Sequence, residues 1–178
     1  MNLYLRLLWT IAKSLYAPRI GPGESIELKL RVLPTDLDIN GHMNNGRYLA
    51  LVDLALVTFF IRSGFARLCI TKKWRPMPGG SVAHYRRGLT LLQGFTLCFT
   101  PVGWDEFWNY CRFEFLRDGK VCAVGFMKGA AVGRDGLVPN AEVYPALGHH
   151  EPSPPLPGDL LAWIASDRLL GESSRNLR

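Results

Sequence analysis

Apolar residues recur at Leu3, Tyr4, Leu7, Leu8, Ile11, Ala12 and Leu15, with Arg6, Thr10 and Lys13 off that stripe. The three-four spacing predicts an N-terminal amphipathic helix within residues 1–20, its stripe packed on its own domain or on a partner subunit. The longest charge-free run, Leu7 to Ala12, is shorter than the apolar region of a signal peptide. It is also far short of the ~20 apolar residues that cross a bilayer. Trp9 and the two basic residues suit a membrane interface, so shallow peripheral attachment through residues 1–17 is a second expectation. Pro18 to Gly23 then reads as a linker.

From Ile26 to Val32 apolar and polar residues alternate, as in a strand with one wet face. The stretch "TDLDINGHMNNGRYL", residues 35 to 49, leads into "NGRYLALVDLALVTFFIRSG", a helix so apolar that most of its circumference must be buried. Asn44 or Asn45 suits its N-cap and Gly64 its stop. Residues 65 to 80 read as a basic loop. Strands are expected near 81–88, 89–100, 107–117 and 120–132, with Asp118-Gly119 as a two-residue hairpin turn. Even pairing across that turn sets Cys122 opposite Phe115 and Cys111 opposite Phe126, with Arg112, Glu114 and Gly125 on the outer face. A Pro-rich spacer, "EPSPPLPG", precedes a short helix from about Asp159 to Leu170 that Gly171 is expected to end. The order of strand, long apolar helix and four antiparallel strands predicts an α+β fold in which one sheet wraps a central helix. That helix is more apolar than one small sheet easily hides, and joining two such sheets in a dimer would cover it.

Composition changes this picture little. The 178 residues suffice for one domain with a real core. A hydrophobic fraction of 48% and a charged fraction of 20% are ordinary for a globular chain. The net charge of +6 favours anionic partners, whether nucleic acid, a membrane surface or a phosphorylated small molecule. Cys69, Cys98, Cys111 and Cys122 have neither CxxC spacing nor a His at zinc-ligand distance, so free thiols in a reducing, cytoplasmic compartment are expected.

The candidate chemistry gathers at the start of the apolar helix. Free N–H groups there are donors at the positive end of the helix dipole, and such an end can hold an oxyanion. A carboxylate turned back by Gly41 can attack a carbonyl or activate a water; equally, Asp38 can serve only as a loop and helix cap. His42 is a base, an orienting group or a turn residue. Asp53 falls inside the apolar helix, where a carboxylate is costly unless paired; it faces a subunit or loop contact with Arg47 or another Arg, or it supports catalysis from behind the reacting groups. His149-His150 has no carboxylate or Cys at ligand spacing, and no Gly-x-Ser-x-Gly, P-loop or HExxH motif occurs, so no metal is expected. Two basic clusters, Lys72–Arg75 and Arg86-Arg87, interleave with Trp74 and Tyr85. A phosphate-bearing ligand accounts for them with less strain than a nucleic-acid groove.

"DLDINGHMNNGRYL", preceded by "IELKLRVL" and followed by the apolar helix, resembles the hotdog-fold acyl-CoA thioesterases, in the branch typified by 4-hydroxybenzoyl-CoA thioesterase. The pattern D-x-D-x-x-G-H-x-N-N-x-x-Y-L is filled by Asp36, Asp38, Gly41, His42, Asn44, Asn45, Tyr48 and Leu49. "YRRGLTLLQGFTL" and "FLRDGKVCAVGFMKG" are similar to that branch's middle strand and last hairpin, so the resemblance covers about residues 24–133. Within the family it is nearest the group called thioesterase superfamily member 6-like. It implies a hotdog domain over 24–135, with the N-terminal helix and the spacer and helix of 136–178 as additions. It also implies an acyl-CoA or acyl-carrier-protein thioester hydrolase that needs no cofactor. Asp38 would be nucleophile or base, the backbone N–H near Asn45 the oxyanion donor, and His42 an orienting group. Tyr48, Arg86 and Arg87 would meet substrate, with Lys72–Arg75 as another place for the CoA phosphates. The family's sites lie at the interfaces of homodimers or homotetramers, and nucleic acid is not among the implied partners. Two rivals stand beside it: a hotdog hydratase or dehydratase, and a non-catalytic acyl-CoA-binding or membrane-peripheral protein.

Overall fold

The computed structural model describes residues 2–21 and 23–175. Met1 of the N-terminal helix, Pro22 of the linker and residues 176–178 of the C-terminal segment lie outside the described residues. Helix α1 (Asn2–Tyr16) is followed by strand β1 (Ile26–Arg31), a 3-10 turn at Pro34–Asp36 and the central helix α2 (Asn45–Arg62). Then come α3 (Phe65–Lys72), β2 (Arg75–Tyr85), β3 (Gly94–Trp104), β4 (Asn109–Arg117), β5 (Lys120–Gly133) and a two-residue β6 (Gly136–Leu137). Helices α4 (Asn140–Ala146) and α5 (Gly158–Arg175) complete the chain.

The antiparallel sheet runs in the order β1-β3-β4-β5-β2, with β6 added on β5. It curls around α2, the expected α+β arrangement. Alternation dictates which side chains enter: Phe95, Leu97 and Phe99 of β3 and Phe113 and Phe115 of β4 are buried against Leu51, Val52 and Ala55 of α2. Each such side chain contributes about 1.5–3 kcal/mol on leaving water. α1 lies along α2, where Ser14 Oγ meets Thr58 Oγ1 at 3.3 Å. α5 covers the sheet's outer face: its Leu160 is fully buried with Tyr110 and Phe126, and Trp163 stacks on Phe126. Arg112 holds Asp159 at 3.1 Å, and Lys128 pairs with Asp167.

Several expectations need correction. Residues 65–72 are helical rather than loop, because Phe65, Leu68 and Cys69 lie at three-four spacing among the charges and pack inward. β2 begins at Arg75 and contains Pro76 and Pro78, which is tolerated because β2 is an edge whose outer side is unpaired among the described residues. The strand expected at 89–100 is β3 at 94–104, after a turn in which Leu92 takes a φ of 60°. α4 occupies part of the expected spacer, and α5 runs through Gly171 to Arg175.

The apolar stripe of α1 is also rotated from its expected position. Arg6, Thr10 and Ser14 turn inward together with Leu3, Leu7 and Ile11, whereas Tyr4, Leu5, Leu8, Trp9, Leu15 and Tyr16 face out.

The hairpin turn forms as expected, with positive φ at both Asp118 and Gly119. Pairing is even only for Arg117 with Lys120 and Leu116 with Val121. A bulge then slips the ladder by one, so Phe115 faces Ala123 and Cys111 faces Met127. Cys122 is the extra residue, and its carbonyl accepts the N–H groups of both Arg86 and Arg87. The slip carries Gly125 to the inner face, opposite Phe113, and sends Phe126 outward. A Cβ on Gly125 would meet the Val82 carbonyl oxygen at 2.0 Å and the Phe113 ring at 2.5 Å. Gly125→Ala should therefore lower stability by at least about 3 kcal/mol, above the usual range for overpacking because backbone is struck. Denaturant unfolding monitored by circular dichroism measures it.

Candidate active site

The site is built where the loop after β1 becomes α2. Leu37 and Met43 pair as an isolated antiparallel bridge, and Gly41, at φ 74°, closes the loop between them. Asp38 sits inside this turn, half-buried. Its backbone N–H donates to the His42 carbonyl at 2.8 Å, and its Oδ1 accepts from Asn40 N–H at 2.8 Å and from His42 N–H at 3.4 Å. Oδ2 has no hydrogen-bond partner among the described residues.

Asn44 caps α2, its Oδ1 accepting from Gly46 N–H at 2.9 Å. That leaves Asn45 N–H, the first donor of the helix, without a partner among the described residues and at the positive end of the dipole.

The preceding aspartate has a different task. Asp36 is only 4% exposed. Its carboxylate lies 3.0 Å from Arg6 of α1 and 4.0 Å from Arg47 of α2, and accepts Leu33 N–H at 2.9 Å. Its carbonyl accepts Asn44 N–H at 2.8 Å, and Arg47 also donates to the Thr35 carbonyl. Loop entrance, helix start and α1 are thus tied at one buried charge, and Asp38 is left to face outward.

The turn after β2 packs against this loop. Met43 N–H donates to the Leu89 carbonyl at 2.7 Å, and His42 bridges Thr90. The His42 ring lies so close over Gly88 that a Cβ there would come within 2.5 Å of it. His42 is exposed, and its link to Asp38 runs through its backbone N–H rather than its imidazole. Arg86 and Arg87, adjoining Gly88, are exposed and form no ion pair among the described residues. The other basic cluster is absent from this site: Arg75 begins β2 and Tyr85 ends it, roughly 33 Å apart for an extended strand of that length.

Tyr48 is buried, wedged edge-on against Tyr85 and Phe115 at 5.1 and 4.8 Å between ring centroids. Burial raises its phenol above the usual tyrosine range despite a hydrogen bond with the Leu89 backbone. It forms the floor of the site rather than its surface. Tyr85 was not singled out from the sequence as a site residue, yet its hydroxyl donates to the Asn45 carbonyl at 3.1 Å.

Asp53 also departs from expectation. It is exposed, and Arg47 is engaged elsewhere. Its apolar surroundings desolvate the carboxyl and raise its pKa above the ordinary carboxylate value. It lines a cavity of about 260 Å3 beside the C-terminal half of α2.

A family profile described as the Thioesterase-like superfamily matches residues 32–164. The protein THEM6 of Xenopus laevis is 32% identical over 149 residues, covering 83% of this chain and 69% of that protein. Among solved structures, the probable thioesterase YbaW of Escherichia coli aligns with a TM-score of 0.62 at 16% identity, over 66% of this chain and 90% of its own. SAV2348 of Staphylococcus aureus, solved in complex with CoA, aligns with a TM-score of 0.63 at 13% identity, over 80% and 95% of the two chains. At these identities the two structural likenesses concern the fold.

Removing Arg6 leaves the Asp36 charge buried with only the more distant Arg47. Arg6→Met should destabilise the protein by about 3 kcal/mol, the lower end of the range for a broken buried pair. Urea unfolding checks this, and adding Asp36→Asn should restore part of the loss.

Proposed function

The chain belongs to the thioesterase-like superfamily and has the hotdog fold, and from that premise we propose that it hydrolyses an acyl thioester, with Asp38 and the start of α2 as its reacting centre. One observation carries this reading. The Oδ2 of Asp38 and the N–H of Asn45, both without a hydrogen-bond partner among the described residues, belong to one short loop-to-helix junction. A thioester carbonyl accepting the Asn45 N–H gains negative charge on oxygen as its carbon is attacked, and a fixed donor at a helix start stabilises that charge. The Asp38 carboxylate either attacks the carbon itself or takes the proton of the water that does. With Asp38 as base, the C–S bond breaks and the proton taken from water passes to the leaving thiolate, releasing acid and thiol. With Asp38 as nucleophile, the thiolate leaves and takes a proton from solvent, and water then hydrolyses the mixed anhydride to free the acid and Asp38.

The exposed Arg86-Arg87 pair beside the loop suits the phosphates of CoA. The CoA complex of the S. aureus neighbour supports a CoA-type thioester over a carrier-protein one. A hydratase reading has less behind it, because the His42 imidazole does not lie on the Asp38 carboxylate. Asp38→Asn should cut kcat for acyl-CoA hydrolysis ~10²–10⁴-fold, the usual contribution of such a group, with KM little changed. Thiol release from a panel of acyl-CoAs measures it; unchanged rates would remove Asp38 from the mechanism.

A second reading concerns where this chemistry takes place. We propose that α1 lies on an anionic membrane surface. Its outward face carries Tyr4, Leu5, Leu8, Trp9, Leu15 and Tyr16, all more than 60% exposed, with Lys13 at the margin. Such a face suits the boundary between headgroups and acyl chains. No single helix among the described residues is long and apolar enough to cross a membrane. The protein should co-sediment with vesicles of phosphatidylcholine and phosphatidylserine, and Leu8→Ser with Trp9→Ser should abolish this without unfolding it. Equal sedimentation of wild type and double variant would refute the attachment.

A further inference from the structure

The start of α2 is held from the loop side by the Asn44 cap and by Arg47, which donates to the Thr35 carbonyl at 2.9 Å. A further tie comes from the sheet. Tyr85, the last residue of β2, donates its hydroxyl to the Asn45 carbonyl at 3.1 Å.

The strand aims this tyrosine. Ala83 packs against the core, and the period of two brings Tyr85 to the same face of β2. Tyr85 pairs with Ala123 of β5. Directly after it, the N–H groups of Arg86 and Arg87 both donate to the Cys122 carbonyl, at 2.8 and 3.0 Å. The bulge therefore clamps the chain just beyond the ring. The ring itself stands edge-on to Tyr48, with centroids 5.1 Å apart, and Tyr48 is buried in the first turn of α2. Tyr85 thus meets that turn twice, once by packing on a side chain and once by a hydrogen bond to the backbone. Burial lifts its phenol above the usual tyrosine range, so the hydroxyl keeps its proton and remains a donor.

We propose that Tyr85 is a positioning residue, which holds the Asn45 N–H aimed at the oxygen that becomes charged during thioester cleavage. The proposal rests on the Asp38–Asn45 junction being the reacting centre. The first N–H groups of a helix have no intrahelical partners, and helix ends fray. The N–H and the carbonyl of Asn45 share one α-carbon, so a hydroxyl that anchors the carbonyl also limits the swing of the N–H. A donor stabilises a developing charge best when it is aimed before the charge forms. The uncharged thioester gains little from that aim, so loss of the hydroxyl falls on the transition state.

Tyr85→Phe tests this, because it keeps a ring on Tyr48 and removes only the hydroxyl. Its kcat for acyl-CoA hydrolysis should fall about three- to tenfold, the worth of one neutral hydrogen bond, with KM little changed. Two ligands read the positioning without turnover. A trifluoromethyl ketone analogue of acyl-CoA adds water or the Asp38 carboxylate to give a tetrahedral oxyanion, whereas a thioether analogue has no oxygen at that carbon. In calorimetry the variant should bind the ketone about three- to tenfold more weakly than wild type does, and the thioether equally well. Equal binding of the ketone by both proteins, an equal loss for both analogues, or no binding of either by wild type would overturn the positioning role. The outcome separates from that of the hydrolase reading. A loss confined to the ketone, in a protein that cleaves no thioester, sustains the positioning role and rejects the hydrolase. Thioester cleavage by a Tyr85→Phe variant that matches wild type in kcat and in ketone binding does the reverse.

Discussion

The burial of Asp36 organises the end of the molecule that holds the proposed reacting centre. Taking a carboxylate out of water costs several kcal/mol even after relaxation, and only close cations and donors offset it. Here the offset comes from three separate segments: Arg6 of the first helix, Arg47 of the central helix and the Leu33 amide. None can be displaced without raising the energy of the others. The neighbouring Asp38 is oriented by this arrangement without being neutralised by it. Two aspartates two residues apart thus divide the work, one spent on geometry and the other left open to solvent.

Much of this was legible in the sequence because it is local. The Asn44 cap, the Gly64 stop and the Asp118-Gly119 turn depend on a few adjacent residues and appear as expected. The motif likewise put Asp38 and Asn45 at one loop-to-helix junction, where the roles proposed for them rest on the resemblance and on that geometry. What escaped was decided at a distance. Cys122 is accommodated as a bulge because consecutive residues, Cys122 and Ala123, are both buried, which strict alternation cannot express. α4, a seven-residue helix with Pro145 inside it, carried too weak a pattern to stand out within 136–178, and the surrounding charges hid α3. Tyr85 enters the site only because β2 ends beside the start of α2. The two basic clusters, close in the sequence, are parted by the length of one strand. Asp53 looked like a buried charge because its neighbours in sequence are apolar, yet it projects from the side of α2 that the sheet leaves uncovered.

α2 links these features. One face meets the sheet, another meets α1, and a third lines the apolar cavity with Asp53, Leu56, Phe60 and Ser63. That division explains why its apolar residues cover nearly the whole circumference in a chain whose composition is otherwise ordinary. It also explains the rotation of α1: with Asp36 beneath it, the helix turns Arg6, Thr10 and Ser14 inward beside Leu3, Leu7 and Ile11, and leaves Tyr4, Leu5, Leu8 and Trp9 outside.

The prolines of β2 have a consequence for association. A sheet edge offers a row of amide donors and carbonyl acceptors to any extended strand that reaches it, which is how flat edges seed fibrils. Neither Pro76 nor Pro78 has an amide hydrogen to offer, and the ladder to β5 slips just beyond them, between Pro78 and Gly80. The first half of this border is therefore short of donors and keeps only its carbonyl acceptors at the prolines. Only the stretch from Gly80 to Tyr85, the end beside Asp38 and Asn45, keeps a full grammar for another strand to read.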